Sequence, residues 1–332
     1  MVLNMKETEE GRPVLAIDLG GTKILAAIIS SVGKVVAREY QLTLAAKGQK
    51  EVISRLFLAI DRLLDKNQRD ASQLAGISIA AAGAIDSARG LVTSSPHLPG
   101  WRDVPLCDIV ASRYQVDVFL INDASAAALA EHRLGAGRGV ANLVYLTVST
   151  GIGGGIIING RLYLGSSGSA GELGHMTIDV SGPRDRCGNV GCLELLASGT
   201  AIAREAIGRL RKGQSSALTG MVEGKIEAIT AREVAVAAQS GNGLAKEVIH
   251  QAAGYLGVAM VNIVNIFNPD MIVVGGGVAK MGDLLLNPAR QVVAERAFRL
   301  PAQAVRIVTA RLGDDVGVLG AAILARDRME AK

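Results

Sequence analysis

One pattern occurs twice in this 332-residue chain and constrains its fold more than any other feature. Residues 14–18 are an apolar run ending in Asp18. A glycine-rich turn, Leu19-Gly20-Gly21-Thr22-Lys23, leads into a second apolar run over 24–29. A turn at 30–33 leads to a third run over 34–40. The opening then recurs. Residues 142–148 are apolar, Ser149-Thr150-Gly151-Ile152-Gly153-Gly154 supplies the turn, and 155–158 form the second run. Asn159-Gly160 is a hairpin signal, and 161–164 form the third strand. Short apolar runs punctuated by Gly and Asn read as strands in a meander. Two halves built alike predict a duplicated α/β architecture, with a ligand cleft between the halves.

The rest of the chain fits that plan. Helical periodicity is expected over 49–66, 104–113, 196–212, 230–240 and 243–266. Further strands are expected at 76–80, 117–121, 270–274 and 305–309. A last helix begins near Asp315 and carries Gly317, Gly320, Ala321 and Ala322. Such small residues permit a close helix crossing, expected to fall on the first domain. Aromatic residues are only 3% of the chain against 49% hydrophobic. The cores must therefore be built from Ala, Val, Ile and Leu, which suits parallel sheets covered by helices.

Composition also excludes function classes. Net charge is +4, with the basic residues scattered. The densest cluster, Arg209, Arg211 and Lys212, sits at the end of an amphipathic helix, where cations suit the macrodipole. It is no nucleic-acid stripe, which would need aromatics beside it. The first 13 residues lack the basic start and apolar run of a leader, and no apolar stretch is long enough to span a bilayer. Cys107, Cys187 and Cys192 make no disulfide framework and fit a reducing cytoplasm. Cys107 reads as a buried apolar residue. The expectation is a cytoplasmic protein with neither nucleic acid nor membrane as partner.

Two glycine-rich turns and one Asn-Asp step are the candidate chemistry. Glycines at 20 and 21 let backbone N–H groups approach a polyphosphate, and Thr22 adds a hydroxyl. Asp18 could hold Mg²⁺ through water. There is no Walker A sequence, so phosphate would be held by two opposed hairpins, the second being Thr150 to Gly155. Each turn by itself also reads as an ordinary hairpin. Gly275-Gly276-Gly277 would floor an adenosine site or simply make a strand-to-helix turn. Asn122-Asp123 closes a buried strand and opens an Ala-rich helix. Capping accounts for one such residue but not for two facing a cleft.

Five motifs in order carry a resemblance: Gly20-Gly21-Thr22-Lys23, Asn122 to Ala128, Thr150 to Gly155, Gly171-Glu172-Leu173-Gly174-His175, and Cys187 to Glu194. The chain resembles the ROK family of the actin–hexokinase superfamily from about Val14 to the last helix. The resemblance implies two actin-like, ribonuclease H-like α/β domains around the cleft. The first would be residues 1–122 plus 315–332, the second 123–314. It implies an ATP- and Mg²⁺-dependent hexose kinase, with glucose the leading substrate and a homodimer as the assembly. Asp123 is then the catalytic base. Gly83, Asn122, Asp123, Glu172, His175 and Glu194 line the sugar. Asp18, Gly20, Gly21, Thr22, Lys23, Thr150, Gly151, Gly153, Gly276 and Gly277 serve the nucleotide.

The resemblance also implies a structural Zn²⁺ site at His175, Cys187 and Cys192. The family's remaining cysteine position is Asp185 here, and carboxylate oxygen is an acceptable zinc ligand. Other departures are Ser149 for a usual Gly, alanines at 82 and 84 where Pro is frequent, and His97 where many glucokinases carry Asn. His97 lies near the expected sugar. Kinases for other hexoses or N-acetylmannosamine share these motifs, as do sugar-responsive repressors and a non-catalytic sugar sensor. A repressor carries an N-terminal helix-turn-helix module, and only 13 residues precede the first strand here.

Overall fold

The computed structural model describes residues 11–185 and 187–331. Residues 1–10, most of the segment read as carrying neither leader nor DNA-binding module, lie outside the described residues. The chain divides into two compact units. The first takes in the chain through Leu134, Leu162–Ala170 and the chain from Asp314 on. The second takes in Gly135–Arg161 and Gly171–Gly313.

The first unit is built on β1 (Val14–Leu19), β2 (Lys23–Ile29), β3 (Val35–Leu42), helix α1 (Gln49–Lys66) and β4 (Gly76–Ala81). A small antiparallel sheet of β5 (Ala84–Asp86), β6 (Leu91–Ser94) and β7 (Arg102–Val104) follows. Helix α2 (Leu106–Tyr114), β8 (Val118–Asn122) and α3 (Asp123–Arg133) complete the N-terminal part. The main sheet has the order β3-β2-β1-β4-β8. β1 and β2 are antiparallel, as a tight turn requires, whereas β1, β4 and β8 run parallel. Central β1 and β4 are almost wholly buried, which is why they read as unbroken apolar runs. Edge strand β3 alternates, with Val36, Tyr40 and Leu42 exposed.

The second unit repeats the plan with β9 (Leu143–Val148), β10 (Ile152–Ile158) and β11 (Arg161–Leu162). Helices α4 (Leu193–Ala197), α5 (Gly199–Arg211), α6 (Leu218–Met221), α7 (Ala231–Gln239) and α8 (Gly243–Phe267) follow. β12 (Met271–Gly275), α9 (Asp283–Arg296), α10 (Arg299–Ala304) and β13 (Arg306–Thr309) end the unit. Its sheet order, β11-β10-β9-β12-β13, matches the first position for position. The duplication read from the glycine-rich turns is thus a duplication of topology. The core of this unit gathers around α8, whose buried face runs from Leu244 to Val264 and whose start is capped by Asn242 Oδ1 on Ala245 N–H at 2.9 Å.

Three expectations change. The helix expected over 196–212 is two, because Ser198 ends α4 and caps α5 through Ala201 N–H at 3.2 Å. The second glycine turn is tighter than expected: Gly153, Gly154 and Gly155 lie in β10, paired with Thr147, Leu146 and Tyr145. The boundary near 122 also moves. The final helix α11 (Val316–Glu330) packs on α3, holding Asp123 and all of α3 in the first unit. A side chain at Gly320 would stand 1.8 Å from the Ala126 carbonyl, so only glycine permits that crossing. The cluster Arg209, Arg211 and Lys212 is a helix end, with Arg209 paired to Glu205 and Glu247 and Arg211 to Glu227.

Candidate functional site

The first constellation forms at the C-terminal edge of the first sheet. Register places Asp18 beside Ala80 and Asn122 beside Ala81. Asp18 and Asn122 thus end strands that are two places apart, about 10 Å at ordinary strand spacing. Ligands of parallel α/β sheets collect at this edge. Burial raises the Asp18 carboxyl to about 6; the Asp123 carboxylate adds to the rise and Lys23 opposes it.

Asn122 has three duties. Its Oδ1 caps α3 by accepting the Ser125 N–H at 3.0 Å. Its Nδ2 donates to the Gly83 carbonyl at 3.1 Å and to Asp123 Oδ1 at 3.1 Å. Asp123 Oδ1 also accepts the Ala124 N–H at 2.8 Å. Asn122 and Asp123 thus satisfy two different N–H groups at the start of α3, those of Ser125 and Ala124. Gly83 has φ +119, and a side chain there would meet the Ser94 carbonyl at 2.4 Å. Asn122 and Gly83 are therefore locked in one orientation.

The turn between β1 and β2 is held on several sides. Gly20 N–H donates to the Lys23 carbonyl at 3.1 Å. Thr43, fully buried just past β3, donates its hydroxyl to the Gly20 carbonyl at 2.7 Å and its N–H to the Thr22 carbonyl at 2.9 Å. A side chain at Gly21 would lie 2.8 Å from both Cβ and the carbonyl oxygen of His97. Lys23 Nζ stands 6.0 Å from the centre of the Tyr40 ring. The sequence reading missed Thr43, because a lone Thr after an edge strand carries no pattern.

The second constellation lies wholly in the second unit. The turn from Ser149 to Gly151 closes with Ser149 N–H on the Gly151 carbonyl at 2.8 Å. Glu194, in the first turn of α4, accepts the Ile152 N–H at 2.8 Å. No side chain fits at Gly151, which abuts Glu194 Oε2. Thr200 donates its hydroxyl to the Thr150 carbonyl at 2.8 Å, another contact that the sequence did not announce. Gly276 has φ +87 and turns tightly against the Val148 carbonyl, so the β12 turn meets the end of β9. Gly277 is open by comparison, with Ser149 Oγ its nearest neighbour at 3.8 Å.

Glu172 precedes a 3₁₀ turn over Leu173–His175, and His175 ends it. Gly174 backs directly onto the Ile152 carbonyl and Gly171 onto that of Gly154, which seats the segment on β10. Burial lifts the Glu172 carboxyl above its usual range; His175 opposes the rise and Glu194 adds to it. Glu194 accepts the Ile152 N–H and Gly174 backs onto the Ile152 carbonyl, so the 171–175 segment and Glu194 meet the same end of β10.

His175, Asp185, Cys187 and Cys192 form a compact donor set, each offering an atom within 4.8 Å of the others. His175 Nδ1 is 3.1 Å from Asp185 Oδ2, and Cys187 Sγ is 3.2 Å from that oxygen. The two sulfurs are 3.8 Å apart. A tetrahedral zinc with Zn–S of about 2.3 Å needs an S–S edge of about 3.8 Å. The donors suit zinc in number and type, and the sulfur separation matches a tetrahedral edge.

A duplicated meander with equivalent sheets defines a protein of the actin-like two-domain α/β class. Residues 14–328 match the ROK family, and the chain belongs to that family. A glucokinase of Thermotoga maritima is 35% identical over 316 residues, covering 95% of this chain and 98% of that protein. A xylose repressor of Caldicellulosiruptor bescii is 32% identical over 307 residues, 92% of this chain and 76% of the repressor. The crystal structure of a ROK family glucokinase from Streptomyces griseus, in complex with glucose and AMPPNP, superposes with a TM-score of 0.84 at 32% identity. It covers 95% of this chain and 99% of that one. The relatives thus include glucokinases and a xylose repressor.

Proposed function

We propose that this protein is an ATP-dependent hexose kinase whose preferred substrate is glucose, phosphorylated at the 6-hydroxyl. The observation that carries the reading is the acidic pair at the strand edge. Asn122 caps α3 through the Ser125 N–H, and Asp123 follows it at the same sheet edge that carries Asp18, close enough for its charge to raise the Asp18 carboxyl. Glucokinase relatives at 35% and 32% identity support it.

In the proposed reaction Asp123 accepts the proton of the sugar hydroxyl as that oxygen attacks the γ-phosphorus. Asn122 fixes the hydroxyl's approach, and Gly83 lets the ring come close to backbone. Glu172 and Glu194 accept hydrogen bonds from further hydroxyls. His175 offers Nε2 to the sugar while Nδ1 faces the donor set. N–H groups of the two glycine turns hold the phosphates, and Gly276 and Gly277 floor the adenosine. Asp18 would hold Mg²⁺ through water, which would supply charge neutralisation at the phosphates. His175, Asp185, Cys187 and Cys192 would hold zinc, which would supply a cross-link fixing the 175–192 segment.

The test is a coupled ADP-release assay with Mg·ATP across a panel of hexoses and N-acetylhexosamines. Glucose-dependent ADP release is the expected result. A different preferred sugar changes the substrate and keeps the class. Sugar binding without ADP release from any member of the panel rejects the kinase in favour of a non-catalytic sugar-sensing regulator, a reading that the similarity to a xylose repressor supports.

A further inference from the structure

The first glycine turn owes its shape to a residue outside it. We infer that Thr43 is the positioning residue of this turn, setting nucleotide affinity without touching the nucleotide. The inference rests on the kinase reading, which assigns the turn to phosphate.

A turn between two strands can present either carbonyl oxygens or N–H groups to an approaching anion. Only the second is attractive. Here three carbonyls are committed elsewhere: Gly20 to the Thr43 hydroxyl, Thr22 to the Thr43 N–H, and Lys23 to the Gly20 N–H. Thr43 supplies two of the three bonds. Among the described residues, no backbone acceptor is paired with the N–H of Gly21 or Thr22. Those are the two groups that a phosphate would need.

The position of Thr43 is itself fixed. It is completely buried, so its hydroxyl has no water to fall back on. The β2–β3 ladder brings it into place, since Lys23 pairs with Leu42 and the next residue out faces Thr22. Leu44 follows at φ +50, ψ 43, a left-handed conformation unfavourable for a leucine. The chain thus turns sharply just after Thr43 while Thr43 stays in register. On the other side, Gly21 rests against the backbone of His97 with no room for a side chain. The turn is clamped between Thr43 and the 95–98 segment, and only the Thr43 side depends on a side-chain hydrogen bond.

The experiment measures wild-type, Thr43→Val, Thr43→Ala and Thr43→Ser protein. Valine keeps the shape and removes the hydroxyl; alanine is read in its place should valine fail to fold. KM for Mg·ATP should rise at least about tenfold in Thr43→Val, with KM for the sugar within about twofold of wild type. Thr43→Ser should restore KM for Mg·ATP to within about threefold of wild type, because it returns the donor. An unchanged KM for Mg·ATP in Thr43→Val overturns the inference. So does a proportional loss in every kinetic parameter alongside a lower melting temperature, which is the signature of a merely structural threonine. Wild-type protein that releases no ADP with any hexose removes the kinase reading itself, a result visible before any variant is compared.

Discussion

Asp123 and Asp18 show how backbone placement sets side-chain chemistry. Both are acids at the ends of parallel strands, yet their surroundings differ. Asp123 begins α3 and takes a backbone N–H. Asp18 is enclosed, facing Gly317 of α11, where a side chain would stand 2.8 Å from its carboxylate. Asp123→Asn keeps the size of the side chain and removes the proton acceptor. The turnover number should fall roughly 10²–10⁴-fold while sugar affinity changes far less. Near-normal turnover in this variant would reduce Asp123 to a structural residue. For Asp18 the sign follows from its raised folded value. Between its ordinary value of 3.8 and about 6 the folded chain holds the proton more tightly than the unfolded chain does. Its contribution to stability is therefore fully present below about pH 4 and lost as pH rises through 6. In magnesium-free buffer, Asp18→Asn should flatten the fall in melting temperature between pH 4 and 7. A parallel fall in wild type and variant would assign the slope to other groups.

At the scale of elements, glycines divide into those the packing needs and those it does not. Gly320 of α11 meets the Ala126 carbonyl of α3, so Gly320→Ala forces two helices apart and should cost ~1–3 kcal/mol by thermal or denaturant unfolding. Gly254, inside α8, has nothing within 4 Å of where its side chain would start. Gly254→Ala should stabilise by ~0.5–1 kcal/mol through helix propensity alone. Equal effects at the two sites would show that the α3–α11 crossing is looser than its geometry. The donor set of His175, Asp185, Cys187 and Cys192 makes a second test at this scale. Elemental analysis of protein purified without chelator should find about one zinc per chain. Cys187→Ala should then lower the melting temperature, because ligand bonds made only in the folded state stabilise it. Metal-free protein and an unmoved melting temperature would leave two neighbouring thiols and no metal site.

At the scale of the whole molecule, the repeated sheet order places a glycine turn after the first strand of each unit. No helix among the described residues is long and apolar enough to cross a membrane. If sugar binds the folded chain alone, glucose at 100 times its dissociation constant should add about 2.7 kcal/mol to stability. A melting temperature indifferent to glucose and raised by another hexose would transfer the substrate assignment to that sugar.

The sequence by itself determined the duplication, the strand runs and the identity of the acidic, histidine and cysteine residues. Buried parallel strands and glycine turns leave their mark in local pattern, since each strand must be apolar along its length and each turn needs glycine. What the sequence could not contain was any relation that depends on distant segments lying together. Thr43 and Gly20 are 23 residues apart, Glu194 and Ile152 are 42, and each pair meets only through a folded ladder or a packed helix. The small sheet of β5, β6 and β7 escaped the reading because strands of three or four residues are too short to show a period. Tertiary structure alone assigned α3 to the first unit, because α3 packs along α11, nearly 200 residues away in the chain, and the glycine that permits the crossing does not name its partner.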